Sequence, residues 1–209
     1  MNEMRATQRR NDRIAPIYDQ MEGLVEAVFY REWRQMIWSR LEAGRILEIG
    51  TGTGKNTRFY PEGAEIHAMD VSQNMLTKAP RGHQRSAVTV QRYQMDAQAL
   101  AFPEGSFDAA IATFVFCLVP DPIRGLREAS RAVKPGGKLL LLEHTRAASE
   151  WMGRLMDWLD PITVRLMGPL LNRLTEVNLD FAGWRNLNIK ELDSLSIFLL
   201  LEATKPVNL

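Results

Sequence analysis

The stretch "ILEIGTGTGKNT" (Ile46–Thr57) decides the fold class of this 209-residue chain. An apolar run is followed by glycine at every second position, at Gly50, Gly52 and Gly54, and then by Lys55. Glycine adopts backbone conformations that other residues avoid, and it lets the main chain approach a ligand closely. Glycine loops of this kind, following a strand, hold phosphates, dinucleotides or adenosyl cofactors.

The spacing of the glycines argues against two of these ligands. A phosphate-binding loop of the form G-x-x-x-x-G-K-[ST] needs glycine at position 49 and a hydroxyl at position 56, where the chain has Ile49 and Asn56. The dinucleotide fingerprint G-x-G-x-x-G needs its third glycine at position 55, which is a lysine. Instead an acid, Glu48, precedes alternating glycines, and a second acid, Asp70, ends the next predicted strand, where the ribose of a ligand would lie.

The overall composition indicates one globular domain. Hydrophobic residues make up 45% of the chain and the net charge is +1, so nucleic acid is not an expected partner. The single cysteine, Cys117, points to a reducing compartment. The N-terminal segment "MNEMRATQRRND" lacks the apolar core of a secretory signal, and the longest apolar run, Ala109–Val119, is shorter than the roughly 20 residues of a membrane span. We expect a soluble protein that is at most peripheral to a membrane.

Short apolar strands alternate with helical segments along most of the chain. Strands are predicted at Arg45–Ile49, Glu65–Met69, Thr89–Gln94, Ala109–Phe114, Lys138–Glu143, Leu187–Ile189 and Ser196–Ala203. Before the fifth strand, Asp121 is placed to cap a helix with Pro122 in its first turn, and "KPGG" (Lys134–Gly137) ends that helix. Strands separated by helices predict a parallel sheet that is covered on both faces.

Two apolar helical regions depart from this alternation. Between Ile17 and Leu41, apolar residues recur at helical spacing, and residues 146–184 are also predicted to be helical. We therefore expect a helical arm at residues 1–44 that faces the substrate or a membrane. The main domain should cover residues 45–209 and carry a helical cap at 146–184.

Four motifs in order resemble those of class I methyltransferases that use S-adenosylmethionine. They are "ILEIGTGTG", "DVSQNMLTKA", "DAQALAFPEGSFD" and "VKPGGKLLLLEH", and together they cover about residues 45–145. The resemblance implies an α/β fold with a Rossmann-like seven-stranded sheet, an N-terminal helical arm and a helical insertion after strand five. It also implies S-adenosylmethionine as cofactor, S-adenosylhomocysteine as product and no metal.

The same resemblance assigns cofactor-binding roles residue by residue. In this family's pattern, Asp70 would accept hydrogen bonds from both ribose hydroxyls, and Asp96 would accept one from the adenine amino group. Glu48 would order the methionyl ammonium through water or backbone. The residues implied to bind the cofactor are Tyr18, Glu48, Gly50, Thr51, Gly52, Asp70, Val71, Asn74, Met75, Asp96, Ala97, Thr113 and Phe114. Taken singly, an acid after a strand also fits a loop cap and Met75 also fits a core, so the combination carries the assignment.

The substrate is predicted from a second set of motifs. "PIYDQME", "FYREWR", "LLEHTR" and "LNRLTEVNLDFAGW" resemble bacterial phospholipid N-methyltransferases of the Rhodobacter type, which convert phosphatidylethanolamine to phosphatidylcholine in up to three steps. The competing resemblance is to the ubiquinone/menaquinone C-methyltransferases, which generally carry "LEFS" and "YRYLP"-type motifs where this chain has "LEHT" and "LNRLT". Methylation of a small thiol is a further alternative.

An amine acceptor must lose a proton before it attacks a methyl group. The candidate bases are Tyr18, His144 and Glu143. Arg173, beside Asn172, is the candidate for the lipid phosphate, because a guanidinium pairs with phosphate bidentately. The three scattered histidines and one cysteine do not form a metal-binding pattern.

A phospholipid substrate requires contact with a membrane surface. The basic residues expected to dock on anionic lipid are Arg5, Arg9, Arg10 and Arg13, extended by Arg31, Arg34 and Arg40. This predicts a cytoplasmic protein associated peripherally with the inner face of the cytoplasmic membrane. A solvated charged tail and an ordinary helical lid remain alternative interpretations of the arm and the cap.

Overall fold

The fold was analysed in a computed structural model that describes residues 30–80, 87–146, 149–151, 153–154, 158 and 175–207. The strands are β1 (Arg45–Ile49), β2 (Glu65–Asp70), β3 (Thr89–Gln94), β4 (Phe107–Thr113), β5 (Val133–His144), β6 (Arg185–Glu191) and β7 (Phe198–Thr204). The helices are α1 (Arg31–Trp38), α2 (Gln73–Lys78), α3 (Pro122–Ala132) and α4 (Thr175–Phe181). Most of the predicted arm and cap, including Tyr18, Asn172 and Arg173, lies outside the described residues.

The seven strands form one sheet in the order β3-β2-β1-β4-β5-β7-β6. Strands β1 to β5 run parallel to one another, whereas β7 runs antiparallel to both β5 and β6. The predicted seven-stranded α/β sheet is therefore confirmed. Its central strands are apolar because both faces are covered, as a parallel sheet requires.

The alternation of side chains along β5 divides the core into two layers. Leu139 and Leu141 pack into one hydrophobic cluster, while Leu140 and Leu142 pack into the cluster on the opposite face. Successive strand residues point to opposite faces, so a run of four leucines supplies both clusters at once. Helix α1 covers the second face with Ile37, and α3 covers the first.

The predicted start of α3 is confirmed. The Asp121 side chain accepts a hydrogen bond from the Arg124 backbone N–H at 2.9 Å, and Pro122 occupies the first turn. The helix ends at Ala132, and β5 follows without a connecting loop. Strand β5 thus begins five residues before the predicted Lys138.

This early start has a physical cause in the pairing of β5 with β4. The register runs from Phe107↔Val133 directly to Ala109↔Lys138, so the intervening "KPGG" bulges out while its ends stay in the ladder. Gly137 packs so tightly that a Cβ there would lie 2.6 Å from the carbonyl oxygen of Asp108. The segment that the sequence presents as a helix stop is therefore also a β-bulge.

Candidate cofactor-binding site

A cleft with an empty volume of about 970 Å³ opens at the carboxyl ends of the central strands. Ile49 at the end of β1, Asp70 at the end of β2 and Thr113 at the end of β4 all line it. In the sheet, β2 lies on one side of β1 and β4 lies on the other, so the order of the strands reverses at β1. Open α/β sheets bind ligands at such a reversal.

The glycine loop forms the floor of this cleft. Gly50, Gly52 and Gly54 have φ values of +69°, +55° and +80°, which glycine adopts far more readily than other residues. A Cβ on Gly50 would lie 2.4 Å from Cγ2 of Val115, so the loop after β1 touches the loop after β4. The alternate glycines therefore create a cradle of backbone that side chains would fill, which fits an extended ligand lying across the strand ends.

Two of the three predicted acids, Asp70 and Asp96, line the cleft. The Asp70 carboxylate accepts the Gly52 N–H at 2.9 Å and the Ser72 N–H at 2.8 Å, and these bonds fix its orientation. Asp96 accepts the Gln98 backbone N–H at 2.9 Å. Thr51, Val71, Met75 and Ala97, which are also predicted cofactor residues, line the same cleft. Their individual cofactor contacts stay predictions.

Glu48 lies beneath the glycine loop and is not one of the described residues that line the cleft. Its carboxylate accepts from Thr51 Oγ1 at 2.8 Å, from Asn56 Nδ2 at 2.7 Å and from the Tyr60 hydroxyl. Burial raises the pKa of Glu48, and the hydrogen bonds and the nearby Arg34 charge oppose that rise. Any influence on a cofactor would pass through Thr51 or the loop backbone. Asn74, also a predicted cofactor residue, is exposed on α2 and likewise does not line the cleft.

Arg34 is the main correction to the sequence interpretation. We expected it on a basic surface, but its side chain is buried and lines the cleft. Nη1 donates to Asn56 Oδ1 at 2.9 Å and to Thr113 Oγ1 at 2.7 Å, and the guanidinium lies 5.5 Å from the Phe114 ring centroid. Helix α1 is therefore tied to the strand-end site by a charged group.

Phe114 turns the chain at the end of β4. Its φ is +59°, an unusual value for a bulky residue, and its ring lines the cleft. The Tyr30 ring lies 4.7 Å from Phe114 and 5.8 Å from Phe198, and Trp33 lies 5.0 Å from Phe198. Strain of this kind is characteristic of functional sites, and here it places an aromatic ring beside Thr113.

Glu143 supports the opposite loop. Its Oε1 accepts the backbone N–H groups of Val115 and Phe116, both at 2.9 Å, and burial raises its pKa to about 7. Among the described residues, the lining of the cleft includes neither Glu143 nor His144. The base role proposed for either residue stays a prediction, and the Glu143 contacts favour a role in positioning the loop.

Sequence reasoning missed Arg34 and Asn56 as site residues. Arg34 lies in the helical stripe with Ile37, Trp38 and Leu41, all of which are buried. A charged residue in an apolar stripe is a signal that could have marked it, because such a charge needs polar partners. Asn56 carried no comparable signal beyond its failure to match a phosphate loop.

Among the described residues, no group of three or more His, Cys, Asp or Glu side chains is arranged to hold a metal ion. No helix within those residues has the length and apolarity to cross a membrane.

Comparisons with known proteins agree with this geometry. Residues 47–141 match the family described as "Methyltransferase domain". The chain is 33% identical over 103 residues to a phosphatidylethanolamine N-methyltransferase of Cereibacter sphaeroides, covering 48% of this chain and about half (51%) of that protein. It is 30% identical over 179 residues to a ubiquinone/menaquinone biosynthesis C-methyltransferase of Hahella chejuensis, covering 79% of this chain and 70% of the relative.

A solved structure extends the likeness to the whole fold. The crystal structure of a possible histamine N-methyltransferase from Thermotoga maritima superposes with a TM-score of 0.71 at 25% identity, covering 95% of this chain and 99% of that one. The glycine cradle, the two strand-end acids and these relatives lead to one assignment. The chain belongs to the class I S-adenosylmethionine-dependent methyltransferases.

Proposed function

We propose that this protein transfers methyl groups from S-adenosylmethionine to the amine of phosphatidylethanolamine and its partly methylated forms. The observation that carries the proposal is the composition of the cleft. One wall combines the glycine loop with Asp70 and Asp96, which suits an adenosyl group, and Phe114 adds an aromatic face at the end of β4. Support for the phospholipid comes from the Cereibacter sphaeroides relative and the motifs that resemble its family.

The bound cofactor supplies a methyl carbon on a positively charged sulfur. The amine would bond to that carbon through its lone pair, and the electrons of the carbon–sulfur bond would return to sulfur. The protein contributes alignment: Asp70 and the glycine backbone hold the donor, and Thr113 and Phe114 flank the position of transfer. Before attack the ammonium, with a pKa near the value of about 10 for lysine, must give up its proton. Tyr18 and His144 are our candidates to accept it.

The aromatic cluster fits the later intermediates of this reaction. Each transfer makes the nitrogen bulkier, and its final form is a permanent cation. Aromatic faces attract such cations without requiring a hydrogen-bond donor on them. The Phe114 ring, supported by Tyr30 and Phe198, provides that surface beside Thr113.

Contact with the lipid would involve parts of the chain beyond the cleft. Arg173 and Asn172 are proposed to hold the lipid phosphate. The arm with Arg5, Arg9, Arg10 and Arg13 is proposed to dock on anionic membrane at the cytoplasmic face. Among the described residues, Trp151 and Trp158 are 66% and 70% exposed, and tryptophan favours the depth of lipid headgroups.

Methylation of a quinol ring carbon is the second candidate. The observation that favours it is the longer alignment with the Hahella chejuensis C-methyltransferase, which spans 79% of this chain. An aromatic wall would also accommodate a flat ring. The motifs after β5 favour the lipid, since "LEHT" replaces the "LEFS" of the quinone enzymes.

A competition between acceptors tests the proposal. The protein is incubated with methyl-labelled cofactor and either vesicles that contain phosphatidylethanolamine or a demethylquinol, across pH 6 to about 10. We expect label in the lipid, with a rate that rises towards the pKa of the amine. Phe114→Leu should slow the second and third transfers more than the first, because the cationic intermediates lose their aromatic face. Label in the quinol alone would refute the phospholipid proposal.

The membrane part of the proposal has its own measurement. Reversing the four arginines of the arm should reduce flotation with anionic vesicles, and added salt should imitate the change. Activity on detergent-solubilised lipid should persist. Equal losses in both assays would assign the arm to the active site instead of the membrane.

A further inference from the structure

A second cavity lies between α1 and the segment that follows the glycine loop. One wall is α1, and the other is the short 3₁₀ helix Thr57–Phe59. We call this cavity the α1 groove, and its empty volume is about 1600 Å³. Gly54 lines the groove, whereas its neighbours Thr53 and Lys55 line the cofactor cleft. No described residue lines both cavities, so a ligand of the groove need not be a ligand of the cleft.

The α1 groove carries two positive charges, one on each wall. Arg31 lies in the first turn of α1, and Arg58 lies on the 3₁₀ helix opposite. Both are exposed, and neither forms a hydrogen bond or an ion pair with another residue that the structure describes. By contrast, Arg40 is paired with Glu202 at 3.2 Å. The described lining of the groove contains no aspartate or glutamate, so the groove offers two guanidinium groups to an anion.

Much of the remaining wall is apolar. Trp38 and Leu41 line the groove from the side of α1, and Phe59, Pro61 and Pro80 line it from the other side. Nε1 of Trp38 is buried and has no hydrogen-bond partner within the described part of the chain. A buried indole N–H usually has a partner, and an acceptor bound in the groove would supply one. The groove thus combines two cations and an unused donor with a hydrocarbon surface.

This combination selects one class of ligand. A guanidinium pairs with phosphate through two parallel hydrogen bonds, so two arginines on facing walls suit a phosphate group between them. Free phosphate would use only the charged part of the groove, whereas the apolar walls favour a ligand that also removes hydrocarbon from water. We propose that the α1 groove binds an amphipathic phosphate ester of the phospholipid type, with its phosphate between Arg31 and Arg58 and its hydrocarbon part against Phe59.

The groove is a second site, separate from the position of methyl transfer beside Thr113 and Phe114. It goes beyond the proposed function, because it does not require that the methyl acceptor be a lipid. A lipid held in the groove would attach both α1 and the segment after the glycine loop to a membrane surface.

Calorimetry with three soluble probes tests the site without turnover. The probes are dihexanoylphosphatidate below its micelle concentration, glycerol 3-phosphate, which has the same headgroup without the chains, and inorganic phosphate. We expect the wild type to bind phosphatidate about 10-fold or more tightly than either probe without chains, because burial of two methylene groups contributes that much. Arg31→Gln and Arg58→Gln should each weaken phosphatidate binding about 5-fold, the upper end for an exposed ion pair. Phe59→Ala should weaken binding of phosphatidate and leave binding of glycerol 3-phosphate unchanged, which also shows that this variant is folded.

A matched variant and a local signal make the result specific. Arg124 is exposed on α3, which covers the opposite face of the sheet, and it is not among the described residues that line either cavity. Arg124→Gln therefore removes one positive charge and should bind all three probes as the wild type does. The NMR signal of the Trp38 indole N–H, assigned with Trp38→Phe, should shift when phosphatidate binds.

Three outcomes would overturn the proposal. Equal affinity for phosphatidate and inorganic phosphate would make the groove a site for simple anions. Phosphatidate binding that is unchanged in both Arg31→Gln and Arg58→Gln, or that falls equally in Arg124→Gln, would show a response to overall charge or a site elsewhere. Binding that leaves the Trp38 signal unshifted would likewise place the lipid outside the groove.

Discussion

Glu143→Gln isolates one buried carboxyl group whose titration should govern how stability varies with pH. Glu143 is 1% exposed and is held against the backbone of Val115 and Phe116. Glutamine has nearly the same shape and can still accept these N–H groups through its amide oxygen. The substitution therefore removes the titration while keeping most of the packing.

The sign and size of the effect follow from the raised pKa. The unfolded carboxyl loses its proton near the ordinary value of 4.5, whereas burial holds the proton in the folded chain up to about pH 7. Between these values the folded state binds more protons, so the free energy of unfolding contributed by Glu143 falls as pH rises. At 1.36 kcal/mol per pH unit, the loss is complete above about pH 7 and amounts to roughly 3 kcal/mol.

Urea unfolding of both proteins, at half-unit steps from pH 4.5 to 8, measures the contribution of Glu143. At each pH, the free energy of unfolding of the variant is subtracted from that of the wild type. This subtraction removes the contributions of the other titrating groups, because both proteins share them. Glu62→Gln, which removes an exposed surface carboxylate, controls for the loss of charge alone. The reasoning would be refuted by a difference that stays constant across the range. A difference that grows with pH would mean that the N–H groups of the loop stabilise the ionised carboxylate more than burial disfavours it.

Three other substitutions test the loop, the cofactor acid and a helix cap. Gly50→Ala should destabilise the fold in urea unfolding by more than the roughly 1–2 kcal/mol typical of a left-handed residue, because its Cβ would also overlap Val115. In the same assay, Gly63→Ala gives the conformational cost alone, because Gly63 has a φ of +78° and the nearest contact of its Cβ would be at 3.6 Å. Asp70→Ala should weaken S-adenosylhomocysteine binding by about 1–3 kcal/mol in calorimetry, and unchanged affinity in a folded protein would remove its ribose role. Asp121→Ala should lower the free energy of unfolding by about 1 kcal/mol through loss of the α3 cap, with no change in cofactor affinity.

The sheet could be predicted because its signals are local. Strands β1 and β3 have the bounds that the apolar runs indicated, and the cap of α3 lies at Asp121 as the residue type predicted. The start of β5 could not be predicted, because "KPGG" has turn chemistry and only its pairing with β4 shows it to be a bulge. Register is a property of two strands, and one strand's sequence does not contain it.

The site was predictable where a motif follows a strand end. The glycine loop, Asp70 and Asp96 line one cleft because parallel strands bring their carboxyl ends to the same edge. Arg34 could not be placed there in the same way, since its partner Thr113 lies 79 residues along the chain. The basic character of the N-terminal region suggested a surface role for Arg34. Its place in the apolar stripe of α1 could have indicated burial, but only the packing of α1 against the sheet shows which strand end it reaches.

Asn56 explains how an acid and a cation can share the space beneath the loop. Its amide donates to Glu48 Oε1 at 2.7 Å and to Thr113 Oγ1 at 3.0 Å, and its carbonyl accepts from Arg34. Both ends of one amide are therefore used, and the two buried charges compensate each other across it. A phosphate loop would require a hydroxyl at this position, with the shorter reach of serine or threonine. One of the two residues that excluded a phosphate ligand in the sequence is thus the one that joins β1, β4 and α1 around the adenosyl cleft. Its replacement by alanine should disturb Glu48 and Arg34 together, so the effects of substituting Asn56 and either neighbour on the free energy of unfolding should be non-additive.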